Sequence, residues 1–173
     1  MQLVKKICLI GEDGAGKTSI AIRYTQNTFT SSYLVTLGVD FYETIFQREK
    51  NGELQTISAQ LWDLASQKPF KTMRSQYLDS SDFVIVVTDI NRTDHKFLHP
   101  WIDDLKKFVG EETPFIIALN KIDLETPKEL NELQSKLEEQ YNVKVFGTSA
   151  KTGDNVASVF DYIADYLFAH HKN

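Results

Sequence analysis

The sequence predicts an α/β domain built on a mainly parallel sheet, and three observations carry that reading. Strand-like and helix-like segments alternate along the chain, the order that winds helices onto both faces of such a sheet. Two apolar runs, residues 83–87 and 115–119, lack polar alternation, as strands covered on both faces do. Residues 11–19 contain G-x-x-x-x-G-K-[ST] between a strand-like and a helix-like segment, where a phosphate-binding loop has to stand.

Composition sets the bounds. At 173 residues, 25% charged and 42% apolar, the chain is long enough to bury a core, and one domain over residues 1–173 is expected. No apolar run approaches a membrane span. The start leads straight into the first strand, so no signal peptide is expected. A net charge of −5 without a basic run argues against nucleic acid or anionic lipid as the main partner. Cys8 is the only cysteine, which excludes an internal disulfide and fits a reducing, cytoplasmic setting.

The elements follow in order. Residues 6–10 read as a buried strand, and residues 19–24 as the helix after the glycine loop. Residues 39–47 and 54–62 break the alternation. They are joined through Asn51-Gly52, the strongest short hairpin signal, because a type I′ turn needs positive φ at both central residues. One antiparallel hairpin at the sheet edge is therefore predicted. A helix over 101–109 has Trp101, Leu105 and Phe108 on one face, with Pro100 in its first turn. The next helix opens on a capping box, Thr126 at N-cap, Pro127 at N1 and Glu129 at N3, followed by Leu130, Leu133 and Leu137. Residues 143–146 form a short strand. The last helix carries Val156, Val159, Phe160, Ile163 and Leu167 in one stripe.

The glycine loop gives the first chemistry. Its backbone N–H groups can wrap a polyphosphate, and the helix N-terminus adds roughly half a positive charge. Lys17 would reach the β- and γ-phosphates, and the Thr18 hydroxyl would coordinate Mg²⁺. The chain is expected to bind a nucleoside phosphate. Asn120-Lys121-Ile122-Asp123 and Thr148-Ser149-Ala150-Lys151 each follow a strand, where loops of an open α/β sheet line the ligand crevice. An Asp carboxylate there can accept two hydrogen bonds from guanine N1–H and the exocyclic amine, a donor pair that adenine lacks.

These motifs together resemble the small GTPases of the Ras superfamily, most of all the Rab branch. The resemblance covers essentially the whole chain and implies a P-loop NTPase fold with a six-stranded sheet. Thr36-Leu37-Gly38-Val39-Asp40-Phe41 resembles the Rab switch I pattern T-I-G-V-D-F. Trp62-Asp63-Leu64-Ala65-Ser66-Gln67 resembles the switch II pattern W-D-T-A-G-Q. The resemblance implies GTP/GDP with Mg²⁺ as ligands. The nucleotide would contact Asp13, Gly14, Ala15, Gly16, Lys17, Thr18, Ser19, Phe29, Thr36, Ser66, Asn120, Lys121, Asp123, Ser149, Ala150 and Lys151. Phe29 matches the aromatic residue that packs across the guanine. Thr18, Thr36 and Asp63 would hold the metal, Thr36 only with triphosphate. Gln67 would orient the attacking water and Lys17 would neutralise the phosphates. Phe41, Trp62 and Tyr77 match the aromatic cluster shown to effectors, although core packing accounts for Trp62 equally well. An exchange factor, an activating protein and effectors are the implied partners of a monomer that peripheral contacts could bring to membranes, in trafficking-type signalling. The four histidines fall outside every motif and are expected on the surface.

The pattern is broken at four places. Switch II has Leu64 for Thr, Ser66 for Gly and Lys68 for Glu. If position 66 needs positive φ, a serine there costs about 1 kcal/mol or more. Asp13 occupies a P-loop position that is Gly in Ras proteins and commonly Ser in Rabs. A carboxylate about 6 Å from another negative charge is repelled by about 3 kcal/mol at an effective dielectric near 20, unless it faces solvent. Slow hydrolysis is therefore expected, with a poor response to an inserted arginine. Gln2 after Met1 excludes N-myristoylation and no cysteine stands near the C-terminus, so no lipid anchor is visible in this chain, which is either unlipidated or lacks a prenylated tail that the whole protein carries. The alternatives are a nucleotide-dependent binding module with negligible hydrolysis and a P-loop kinase, which leaves the base-reading motifs without a use.

Overall fold

The computed structural model describes residues 4–32, 35–94, 97–124 and 127–170, with the side chains of Pro127 and Lys128 excepted. Thr126, the expected N-cap, lies outside the described residues, as do His95 and His171. The strands are β1 (Val4–Gly11), β2 (Val39–Lys50), β3 (Glu53–Leu64), β4 (Phe83–Asp89), β5 (Phe115–Asn120) and β6 (Val145–Thr148). The helices are α1 (Lys17–Gln26), α2 (Lys71–Leu78), α3 (His99–Phe108), α4 (Pro127–Tyr141) and α5 (Val156–His170).

The strands form one six-stranded sheet in the order β2-β3-β1-β4-β5-β6. Only the β2–β3 pair is antiparallel, so the edge hairpin stands where it is expected. Lys50 pairs with Glu53, which leaves a two-residue turn with φ of 56° at Asn51 and 79° at Gly52. The strands therefore run further into residues 48–53 than the sequence suggests, because the I′ turn continues their twist rather than ending it.

Alternate residues of β1, β4 and β5 feed two cores, since successive side chains point to opposite faces. On one face Ile7, Leu9, Phe83, Ile85, Ile116 and Ala118 meet Ile20 of α1 and the α5 stripe of Val156, Val159, Phe160, Ile163 and Leu167. On the other, Cys8, Ile10, Val84, Val86, Ile117 and Leu119 meet Leu78, Ile102, Leu105 and Leu137. The doubly covered strands explain the unbroken apolar runs.

Two element readings need correction. In α3 the fully buried residues are Ile102 and Leu105, while Trp101 and Phe108 pack only partly against the core. The helix begins at His99, with Pro100 in its first turn as expected, and Ile102 belongs to its inward face beside Leu105. The strand expected over 143–146 instead spans Val145–Thr148. The αL residue Asn142, at φ 52°, delays pairing, and the Lys144 carbonyl makes the first bond to β5 by accepting the Ile117 N–H at 3.1 Å.

Candidate nucleotide site

The carboxyl ends of β1, β3, β5 and β6 open on a cavity of about 380 Å³. Its wall includes Asp13, Gly14, Gly16, Lys17, Thr18, Ser19, Phe29, Thr36, Ser66, Asn120, Lys121, Asp123, Ala150 and Lys151, segments from the whole length of the chain. Four of the expected site residues do not line it. Ala15, Asp63 and Ser149 lie buried behind the wall, and Gln67 stands just past its end. Sequence reasoning missed Ile22, Thr28, Thr30, Ser31, Ser32, Ala65 and Leu124 in the lining. The polar run flanking Phe29 was the available signal for the loop members.

Two glycines are fixed by close approach. A Cβ on Gly11, at φ +141°, would sit 1.9 Å from the Val87 carbonyl oxygen of β4. One on Gly16, at φ +99°, would sit 2.1 Å from Asn120 Nδ2. No L side chain fits either place without moving the loop.

Lys17 heads α1 with only 6% of its surface exposed. Its ammonium donates to the carbonyls of Gly11 at 3.0 Å and Glu12 at 2.9 Å. Burial pulls its pKa down to about 8, against the opposing attraction of Asp63 and Asp13. A buried ammonium at the mouth of the loop is built to meet anionic oxygen.

Beside it the hydroxyls of Thr18 and Thr36 both donate to Asp63 Oδ2, and they lie 3.0 Å from each other. The second carboxylate oxygen of Asp63, Oδ1, is buried and makes no hydrogen bond. Burial raises the Asp63 pKa against the pull of Thr18 and Lys17. One orphaned carboxylate oxygen with two hydroxyls is an all-oxygen donor set of the kind a hard divalent cation takes. Among the described residues no cluster of three His, Cys, Asp or Glu side chains exists, which leaves no nitrogen–sulfur site of the zinc type.

On the Asp123 wall of the cavity, Ser149 donates to Asp123 Oδ1 at 2.6 Å, and Lys151 lies 3.8 Å from Oδ2. Asn120 braces three loops: its amide donates to the Ala15 carbonyl at 2.9 Å, and its oxygen accepts the Ala150 N–H at 3.1 Å. Lys121 is held at 2.6 Å by Asp89. Burial raises the Asp89 pKa, but hydrogen bonds from Lys121 and Asn91 outweigh it and hold the carboxylate low.

Switch II is pinned from outside. Arg74 of α2 donates from Nη1 to the carbonyls of Ala65 and Gln67, each at 3.0 Å, and its guanidinium lies 4.8 Å from the Trp101 ring centroid. Ser66 sits between those two carbonyls and is not among the residues with positive φ. The strain expected for a serine at this position is therefore absent. Phe41, Trp62 and Tyr77 form one edge-to-face series, with centroids 4.7 and 5.7 Å apart. Phe41 is half exposed and Trp62 is intermediate, so the cluster is both packing and surface. Among the described histidines, His99 and His170 lie on the outside of the molecule.

The family model described as "Ras family" matches residues 6–169. The Ras-related protein RabC of Dictyostelium discoideum is 35% identical over 99% of this chain and 88% of its own length. The Ras-related protein Rab-1 of Theileria parva is 34% identical over 94% of this chain and 73% of its own. The Ras-related protein Rab-3C of Mus musculus is 32% identical, with 94% and 70% covered.

Proposed function

The chain belongs to the Ras family, and on that premise we propose that it is a Rab-like switch that binds GTP or GDP with Mg²⁺ at this cavity and hydrolyses GTP slowly. The observation that carries the reading is Asp123, oriented by Ser149 and Lys151 on the wall of the same cavity that Lys17 lines. Phe29, 38% exposed on the wall, offers a face for the base.

The roles follow from chemistry. Lys17 and the N–H groups of the glycine loop offset phosphate charge. Thr18, Asp63 and, with triphosphate, Thr36 would hold Mg²⁺, which adds charge neutralisation when bound. Hydrolysis adds a water oxygen to the γ-phosphorus and breaks its bond to the bridging oxygen, which leaves GDP and phosphate. Gln67 orients that water, and positioning rather than proton transfer lowers the barrier. Phe41, Trp62 and Tyr77 present the surface that effectors read.

A second reading, nucleotide binding with negligible hydrolysis, draws on Asp13 at the cavity wall and on Gln67 outside it. Fluorescent-GDP displacement tests the shared premise. GTP and GDP should compete in the presence of Mg²⁺ at least a hundredfold better than ATP. Equal competition by ATP would remove the guanine assignment.

A further inference from the structure

The two residues that depart most from the family pattern touch each other. Ser66 Oγ of switch II donates to Asp13 Oδ1 of the glycine loop at 3.3 Å. Both line the cavity, as do Lys17 and Thr18. The Asp13 carboxylate lies near enough to the buried Lys17 ammonium to favour its charged form. Its backbone carbonyl is held in turn by Arg92 Nη1 at 3.4 Å, and Arg92 also meets Glu12 at 3.5 Å. Ser66 is fixed from behind by the two bonds of Arg74 to its neighbours' carbonyls. Thr36 of switch I is already at Thr18 and Asp63. Both switch segments thus stand closed on the loop.

A terminal phosphate draws switch segments inward by offering anionic acceptor oxygens beside the P-loop lysine. A carboxylate at the same mouth is the same kind of group: anionic, acceptor-only, and close to that ammonium. We propose that Asp13 and Ser66 form an internal stand-in for the terminal phosphate. The pair keeps switch II docked over a nucleoside diphosphate and places a triphosphate at a disadvantage, since its last phosphate must enter beside a carboxylate that already holds the partner. Diphosphate selectivity belongs to the charge of Asp13. Docking of switch II in the diphosphate state belongs to the hydrogen bond with Ser66. The inference rests on the guanine-nucleotide reading above.

The two halves separate by variant. Asp13→Asn keeps an acceptor oxygen and removes the charge; Ser66→Ala removes the donor and keeps the charge. Affinities for GDP and for a non-hydrolysable β,γ-imido GTP analogue are measured with Mg²⁺, and hydrogen exchange of residues 64–78 is followed in the GDP state. The wild type should prefer GDP at least tenfold. Asp13→Asn, and independently Asp13→Ser, should bring that ratio at least fivefold toward unity. Ser66→Ala should speed exchange of residues 65–70 with GDP at least threefold, and the analogue should restore protection. A far-UV circular dichroism spectrum and a thermal unfolding midpoint within a few degrees of wild type show that each variant is folded. An unchanged ratio in both Asp13 variants, or unchanged exchange in Ser66→Ala, overturns the inference while leaving nucleotide binding intact. If the wild type binds neither GDP nor the analogue, the functional reading itself fails and this inference goes with it.

Discussion

At Asp123, two neighbours set the carboxylate's orientation before any base arrives, the Ser149 hydroxyl at 2.6 Å and the Lys151 ammonium at 3.8 Å. Asp123→Asn replaces an acceptor pair with an acceptor and a donor, which faces guanine N1–H or its amine with the wrong group. GDP affinity should drop about a hundredfold or more, while xanthosine diphosphate, with an oxygen at C2, gains. Competition against fluorescent GDP reads both. Cys8 makes a second residue-scale prediction. It is fully buried, donates to the Tyr77 carbonyl and receives the Ser81 hydroxyl, and burial pushes its thiol up to about 11. Between pH 9 and 11 the unfolded chain loses this proton and the folded one keeps it, so the contribution of the thiol to stability falls as pH rises through that window. The stability gap between wild type and Cys8→Ala should narrow by on the order of 2 kcal/mol from pH 8.5 to 11, measured by urea unfolding. Gly11 and Gly16 were legible in the sequence because a motif marks them. The Asp13–Ser66 bond was not, because it joins residues 53 apart in sequence and no spacing rule pairs a loop carboxylate with a distant hydroxyl.

Switch II owes its place to α2 and α3. Arg74 satisfies two carbonyls with one guanidinium nitrogen, and hydrogen bonds to a charged donor are each worth about 1.5–3 kcal/mol. Arg74→Met keeps much of the stem beside Trp101 but leaves those carbonyls without their partner. It should cost about 2 kcal/mol in denaturant unfolding and loosen residues 64–70. In a Trp62→Phe background, Trp101 becomes the only indole, and its emission should respond to the loss of the stacked guanidinium. Unchanged emission would mean that Arg74 does not hold that position in solution. The edge hairpin shows the opposite economy. Arg48 bridges β2 to Asp161 and Asp165 of α5 at 3.1 and 2.7 Å, but both carboxylates are mostly exposed. Arg48→Ala should cost under about 1 kcal/mol. Hairpin and helices were readable because Asn51-Gly52 and the 3.6-residue stripes act locally. The face of α3 was read in part: Trp101, Leu105 and Phe108 do pack against one core, and Ile102, which is more deeply buried than either ring, was missed.

Across the molecule, the apolar runs of β4 and β5 foretold a sheet covered on both faces, and the order of the five motifs foretold which loops meet. What the sequence left open was how the loops brace one another. Asn120 links the P-loop to the last motif, Arg92 clamps the P-loop from the loop after β4, and Thr36 lies against Thr18 and Asp63. Such contacts come from tertiary proximity between segments that sequence periodicity treats separately. The central claim is that this crevice reads guanine and turns over its terminal phosphate. The most direct test is single-turnover hydrolysis of γ-labelled GTP with Mg²⁺, run beside labelled ATP and beside the Gln67→Leu variant. The account predicts one slow phase on the order of 10⁻⁴ s⁻¹, slowed at least tenfold in Gln67→Leu, with ATP untouched. Phosphate release from ATP at the same rate, or none from GTP above a protein-free control, would contradict it.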